Sequence, residues 1–159
     1  MRALYPCLWY DRQAEEAASF YVSLLPNSHV DTVYRSPADT PSGSTGMVLT
    51  VDFTLAGQRF QALNGGPDFK FNESVSFVIE VDDQAEVDRL WNALTANGGT
   101  PSQCGWLKDR FGLSWQIVPR RLRKLLEDDD PERARRAMAA LLEMGKIEID
   151  ELEQAANAG

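Results

Sequence analysis

The sequence predicts an α+β fold: two βαβββ units whose curved mixed sheets surround a cleft, followed by C-terminal helices. Three observations carry this. Strand-like and helical stretches occur twice in the same order before Pro119. The helix entries repeat in residues, Asp11-Arg12-Gln13-Ala14-Glu15 and Asp82-Asp83-Gln84-Ala85-Glu86, and each Gln is followed seven positions later by an aromatic, Phe20 or Trp91. From Pro119 onward the composition turns to helix. The implied boundaries are a paired domain over 1–119, with units of about 3–66 and 74–119, and a helical extension over 120–159.

The first unit opens with Leu4 to Tyr10, rich in strand formers, and Asp11 stands where a helix N-cap belongs. Ala14, Ala17, Ala18, Tyr21 and Leu25 recur at helical spacing, and Pro26 stops the helix. Strands are expected at Val30–Tyr34, Met47–Leu55 and Arg59–Leu63, with turns at Pro37 to Gly46, at Ala56-Gly57 and at Asn64-Gly65-Gly66-Pro67.

The second unit starts with a strand over Ser74 to Val81, then a capping-box-like pair, Asp83 and Glu86. Its helix runs through Val87, Leu90, Trp91 and Leu94 and stops at Asn97-Gly98-Gly99. Pro101 to Cys104, Gly105 to Lys108 and Leu113 to Val118 are expected as three short strands, with a turn at Phe111-Gly112. In the extension, Leu122, Leu125 and Leu126 form one apolar face. Asp130 caps a second helix with Pro131 at its first position, Gly145 ends it, and Asp150-Glu151-Leu152-Glu153 starts a third. These helices must bury their apolar stripes on the same chain or on a partner.

Bulk properties exclude several classes. An apolar share of 43% fits a globular protein. No apolar run approaches the roughly 20 residues that span a membrane, and no signal peptide is expected before Leu4. A net charge of −8 argues against a nucleic-acid partner, and the one basic cluster, Arg120 to Lys124, is followed at once by Glu127 to Asp130. Cys7 and Cys104 make no disulfide framework, so a cytoplasmic location is expected.

Leu8-Trp9-Tyr10-Asp11, Gln13-Ala14-Glu15-Glu16-Ala17, Phe20-Tyr21 and Pro26-Asn27-Ser28 closely resemble the opening of the PhnB-like branch of the vicinal oxygen chelate (glyoxalase/bleomycin-resistance/dioxygenase) superfamily. Ala62-Leu63-Asn64-Gly65-Gly66-Pro67 and the run from Cys104 to Pro119, CGWLKDRFGLSWQIVP, are the most specific matches, and Asp130-Pro131 with the Met-rich helix beyond extends the resemblance over nearly the whole chain. The resemblance implies a homodimer and a small-molecule ligand. This branch often carries the label 3-demethylubiquinone-9 3-methyltransferase.

Metal-dependent members of the superfamily place His or Glu on the first and last strands of each unit. By resemblance, Pro6 or Cys7, Ala62 or Asn64, Ser76 and Gln116 stand at those positions here, and none is His, Asp or Glu. Such neutral donors hold hard divalent ions poorly, so neither a metal nor another cofactor is expected. The single histidine, His29, reads as a strand-edge residue. No Gly-rich loop follows a strand and opens a helix, as a Rossmann-type methyltransferase needs.

A polar and aromatic cleft remains. On the last strand Ser114 and Gln116 share one face while Trp115 and Ile117 share the other, which should meet the helices. Ser76 alternates likewise, so Ser76 and Gln116 are expected to point into one cavity, where either a ligand or neighbouring side chains and water satisfy the amide. Trp9, Trp106 and Phe60 are candidates for an aromatic wall, and Cys7 for a pocket thiol. The expected ligand-binding set is therefore Gln116, Ser76, Ser114, Asn64, Cys7, Trp9 and Trp106. The leading function is metal-independent binding of a small molecule. A metal-dependent lyase, isomerase or dioxygenase is the alternative and a methyltransferase the third, so these residues leave open whether the chain is an enzyme.

Overall fold

The computed structural model describes all residues from Met1 to Gly159. Two compact units emerge, Met1–Phe71 and Asn72–Gly159. Each holds a four-stranded mixed sheet, and five helices complete an α+β fold.

The first unit runs β1 (Cys7–Tyr10), α1 (Ala14–Val22), β2 (His29–Arg35), β3 (Val48–Leu55) and β4 (Gln58–Asn64), in sheet order β1-β4-β3-β2. β1 lies parallel to β4 and the other pairs are antiparallel. Ala14, Ala17, Ala18 and Tyr21 of α1 are buried, as are Val51, Phe53, Phe60 and Ala62 of the sheet. The small alanines let the helix backbone approach closely, while Phe53 and Phe60 stack at 5.3 Å. Phe60 is thus a core residue and lines no aromatic wall.

Two expectations for this unit change. β1 begins at Cys7, not Leu4. Asp11 does not cap α1: the N-cap is Gln13, whose side chain makes no capping bond. The Oδ1 of Asn64, at the end of β4, accepts the Ala14 N–H at 2.9 Å instead. A distant side chain has replaced the local cap. Asn64 Nδ2 also donates to the Val48 carbonyl at 2.9 Å, so one amide ties α1, β3 and β4 together.

The second unit runs β5 (Ser76–Val81), α2 (Gln84–Thr95), a 3-10 turn (Ala96–Gly98), β6 (Thr100–Pro101), β7 (Trp106–Lys108) and β8 (Ser114–Pro119), in sheet order β5-β8-β7-β6. Asp83 caps α2 as the sequence suggests, accepting the Glu86 N–H at 2.9 Å. The strand expected over Pro101 to Cys104 shrinks to Thr100–Pro101, because Cys104 and Gly105 are both left-handed, with φ of 58° and 85°. A Cβ on Gly105 would stand 2.7 Å from Ile147 Cδ1 and 3.0 Å from the Ile117 carbonyl oxygen. Only glycine permits that approach.

The chain then forms α3 (Arg120–Leu126), α4 (Pro131–Leu142) and α5 (Ile149–Asn157). α4 stops before Gly145, and α5 starts at Ile149, one residue ahead of expectation. These helices pack within their own unit. Leu122, Leu125, Ala137, Leu141, Met144, Ile147 and Leu152 form one buried cluster against which Cys104 and Val118 pack. Each fully buried Leu or Ile contributes about 2 kcal/mol, enough to hold helices too short to persist alone. Backbone bonds from Cys104 N–H to the Met144 carbonyl and from Gly105 N–H to the Gly145 carbonyl, both 2.8 Å, seal the joint. No helix is long and apolar enough to cross a membrane.

Candidate functional site

In β8 the buried Trp115 and Ile117 alternate with the half-buried Gln116 and Val118. Trp115 and Ile117 face the α2 layer, so Ser114, Gln116 and Val118 face the other side. Register extends that face to the neighbouring strands. Ser76 pairs with Ser114, Val78 with Gln116 and Glu80 with Val118 across the parallel β5, while Trp106 and Lys108 pair with Gln116 and Ser114 across the antiparallel β7.

Gln116 is the centre of this face. Its Nε2 donates to the Ser76 Oγ at 2.9 Å. That bond fixes one end of the amide, and Gln116 also lines a groove of about 630 Å³ beside Trp106, Val78 and Val118. Leu122 and Leu126 of α3 and Leu141 of α4 add an apolar wall. Arg120, Arg123 and Lys124 of α3 lie along the same groove, with Glu80 and Glu127.

A second groove of about 320 Å³ shares Trp106 and takes in Ser114, Lys108, Glu73 and Thr100. The Ser114 hydroxyl is buried there without a hydrogen-bond partner. Lys108 pairs with Glu73 and holds its carboxyl below the ordinary value, chiefly through that hydrogen bond. The turn leading into β8 is pinned by Asp109, a buried carboxylate the sequence reading did not single out. Lys108 and Glu73 were missed as well. The period-2 alternation that places Trp106 also places Lys108, so that signal was present.

The remaining expected residues belong to the first unit. Cys7 is exposed on the sheet face turned away from α1, paired in register with Gln61. Desolvation, and secondly the Asp52 carboxylate, push its thiol pKa up, so it is no activated thiolate. Trp9 is partly buried: its Nε1–H donates to the Gly66 carbonyl at 2.8 Å and its ring meets Phe69 edge-on at 4.9 Å. A Cβ on Gly65 would stand 2.4 Å from that indole, which accounts for the Asn64-Gly65-Gly66-Pro67 turn without any phosphate. Asn64 is buried on the helix side with both amide ends bonded, although it also borders a groove of about 460 Å³ with Arg12, Ser42 and Met47. Ser76, Gln116 and Trp106 therefore come together, with Ser114 alongside.

The donors at the centre are a carboxamide, a hydroxyl and an indole, none of them anionic. No three His, Cys, Asp or Glu side chains converge in a way that could hold a metal ion. A hard divalent cation does not fit this donor set. The arrangement is suited to hydrogen bonding a neutral polar group and packing an apolar body.

Residues 2–118 match the model of the family described as 3-demethylubiquinone-9 3-methyltransferase. The chain belongs to this family. The PhnB protein from Bacillus cereus is 28% identical with a TM-score of 0.66, covering 74% of this chain and 99% of its own. A protein from Pseudomonas aeruginosa at 21% identity and TM-score 0.61, covering 75% of this chain and 98% of its own, shares the fold. No protein of curated function matches the chain. The family match ends at residue 118, short of the expected extension through Asp130-Pro131 and the helix beyond, so α3, α4 and α5 lie outside the matched part.

Proposed function

We propose that this protein binds a small, largely apolar molecule on the open face of its second sheet, without a metal. The observation that carries the reading is the Gln116–Ser76 hydrogen bond beside a groove walled by Trp106 and by leucines of α3 and α4. About 630 Å³ falls in the range of roughly 300–1,000 Å³ usual for small-molecule sites. Trp106 offers a flat apolar surface, the Gln116 amide a donor and an acceptor, and the unpartnered Ser114 hydroxyl a further polar contact in the adjoining groove. The reading rests on the second unit alone. It includes a homodimer in a reducing cytoplasm, which light scattering of the purified protein tests for assembly.

The activity named in the family description ranks behind. Neither strand-to-helix junction, Asp11-Arg12-Gln13 nor Asp82-Asp83, contains a glycine to cradle a nucleotide-like cofactor.

The test is a nuclear magnetic resonance titration with N-phenyl-1-naphthylamine, a neutral aromatic probe. The Gln116 side-chain amide and the Trp106 indole N–H are expected to shift together and saturate. Unmoved resonances at both positions refute the proposal.

A further inference from the structure

Resting on the groove reading above, the geometry points to an amphipathic anion as the ligand class, its apolar body against Trp106 and its negative group at Lys124 of α3. Three cations border the groove, Arg120, Arg123 and Lys124, against two anions, Glu80 and Glu127. The pairing is uneven. Arg120 lies 2.9 Å from Asp82 and 3.9 Å from Glu80. Arg123 lies 3.7 Å from Glu127. Lys124 makes no ion pair and is exposed at the groove. Asp82 and Glu80 engage Arg120 and Glu127 engages Arg123, so Lys124 is the groove cation left without a carboxylate partner.

The rest of the groove accommodates no second charge. Val78, Val118, Leu122, Leu126 and Leu141 present hydrocarbon, and Gln116 is neutral. A ligand complementary to this pattern has one anionic group at one end of an apolar, aromatic-sized body. The selectivity belongs to this chain and not to the fold. The cations and the leucine wall sit on α3 and α4, beyond residue 118 where the family match ends. On a chassis shared with PhnB-like proteins, the extension has added a cationic rim to the open sheet face.

A matched pair of probes tests this. 8-Anilinonaphthalene-1-sulfonate and N-phenyl-1-naphthylamine share the same aromatic body, and only the first carries a sulfonate. The sulfonate probe is expected to bind more tightly, with an affinity that falls as salt rises. Lys124→Gln should weaken it roughly fivefold, the upper range for one partly exposed ion pair, and leave the neutral probe unchanged. Val78→Trp, at a position 53% exposed, fills the groove and should remove binding of both probes without disturbing the core.

Equal affinity for the two probes, or equal loss of both in Lys124→Gln, overturns the anion proposal while the groove reading stands. Failure of both probes to bind, or binding that Val78→Trp leaves intact, overturns the groove reading itself.

Discussion

Asp109 and Trp115 are joined across the turn into β8: the indole Nε1–H donates to Asp109 Oδ2 at 2.9 Å inside the second unit. The other carboxylate oxygen accepts the backbone N–H groups of Phe111 and Leu113, at 2.8 and 3.1 Å. One buried side chain therefore sets the turn, orients Trp115 toward α2 and, by alternation, turns Gln116 to the open face. Asp109→Ala removes the carboxylate that accepts three N–H groups, two of them on the buried Leu113 and Trp115. The expected cost is about 3 kcal/mol, read from the urea midpoint. A loss below about 0.5 kcal/mol would show that water replaces the carboxylate.

Asn64 and Asp11 make a second contrast. Asn64 receives the first helical N–H of α1 and holds the Val48 carbonyl, whereas Asp11 caps nothing. Asn64→Ala should cost about 2 kcal/mol and Asp11→Ala less than about 0.5 kcal/mol, compared by thermal unfolding. The reverse order would restore Asp11 as the cap.

Acid should loosen the C-terminal helices. Glu153 is held below its ordinary pKa chiefly by the hydrogen bond from Arg121, and Asp88 chiefly by that from Lys146. A carboxyl with a lowered folded pKa stabilises the fold above its unfolded value, and that contribution disappears as pH falls through the folded one. Arg121→Gln should therefore lower the urea midpoint at neutral pH. Its gap from the parent should close below the ordinary glutamate value of 4.5. A gap that stays constant with pH would assign Arg121 a packing role only.

Cys7 tests the electrostatics of the first sheet. Its thiol pKa is raised by desolvation and, secondarily, by Asp52. Reaction with Ellman's reagent at mildly alkaline pH should be slower than for free cysteine despite the exposure of Cys7, and Asp52→Asn should speed it in part. A rate equal to that of free cysteine would mean that neither influence acts on the thiol.

Much of this fold was legible because its signals are local. The period-2 alternation of Ser114 to Val118 and the 3.6-period stripe of Val87, Leu90, Trp91 and Leu94 both carry over into the structure. What escaped the sequence reading depends on distant partners. Asn64 capping a helix 50 positions earlier has no local pattern. Cys104 leaves the strand region because residues 144 and 145 claim its backbone and that of Gly105. The groove was half visible. Ser76, Gln116 and Trp106 follow from alternation, but the cationic and leucine wall of α3 requires knowing where the extension folds back.

Metal content of protein purified without chelators distinguishes a metal-free groove from a metal centre. A neutral amide–hydroxyl–indole site is expected to carry no first-row metal above trace by inductively coupled plasma mass spectrometry. One manganese, iron, nickel or zinc ion per chain would contradict it.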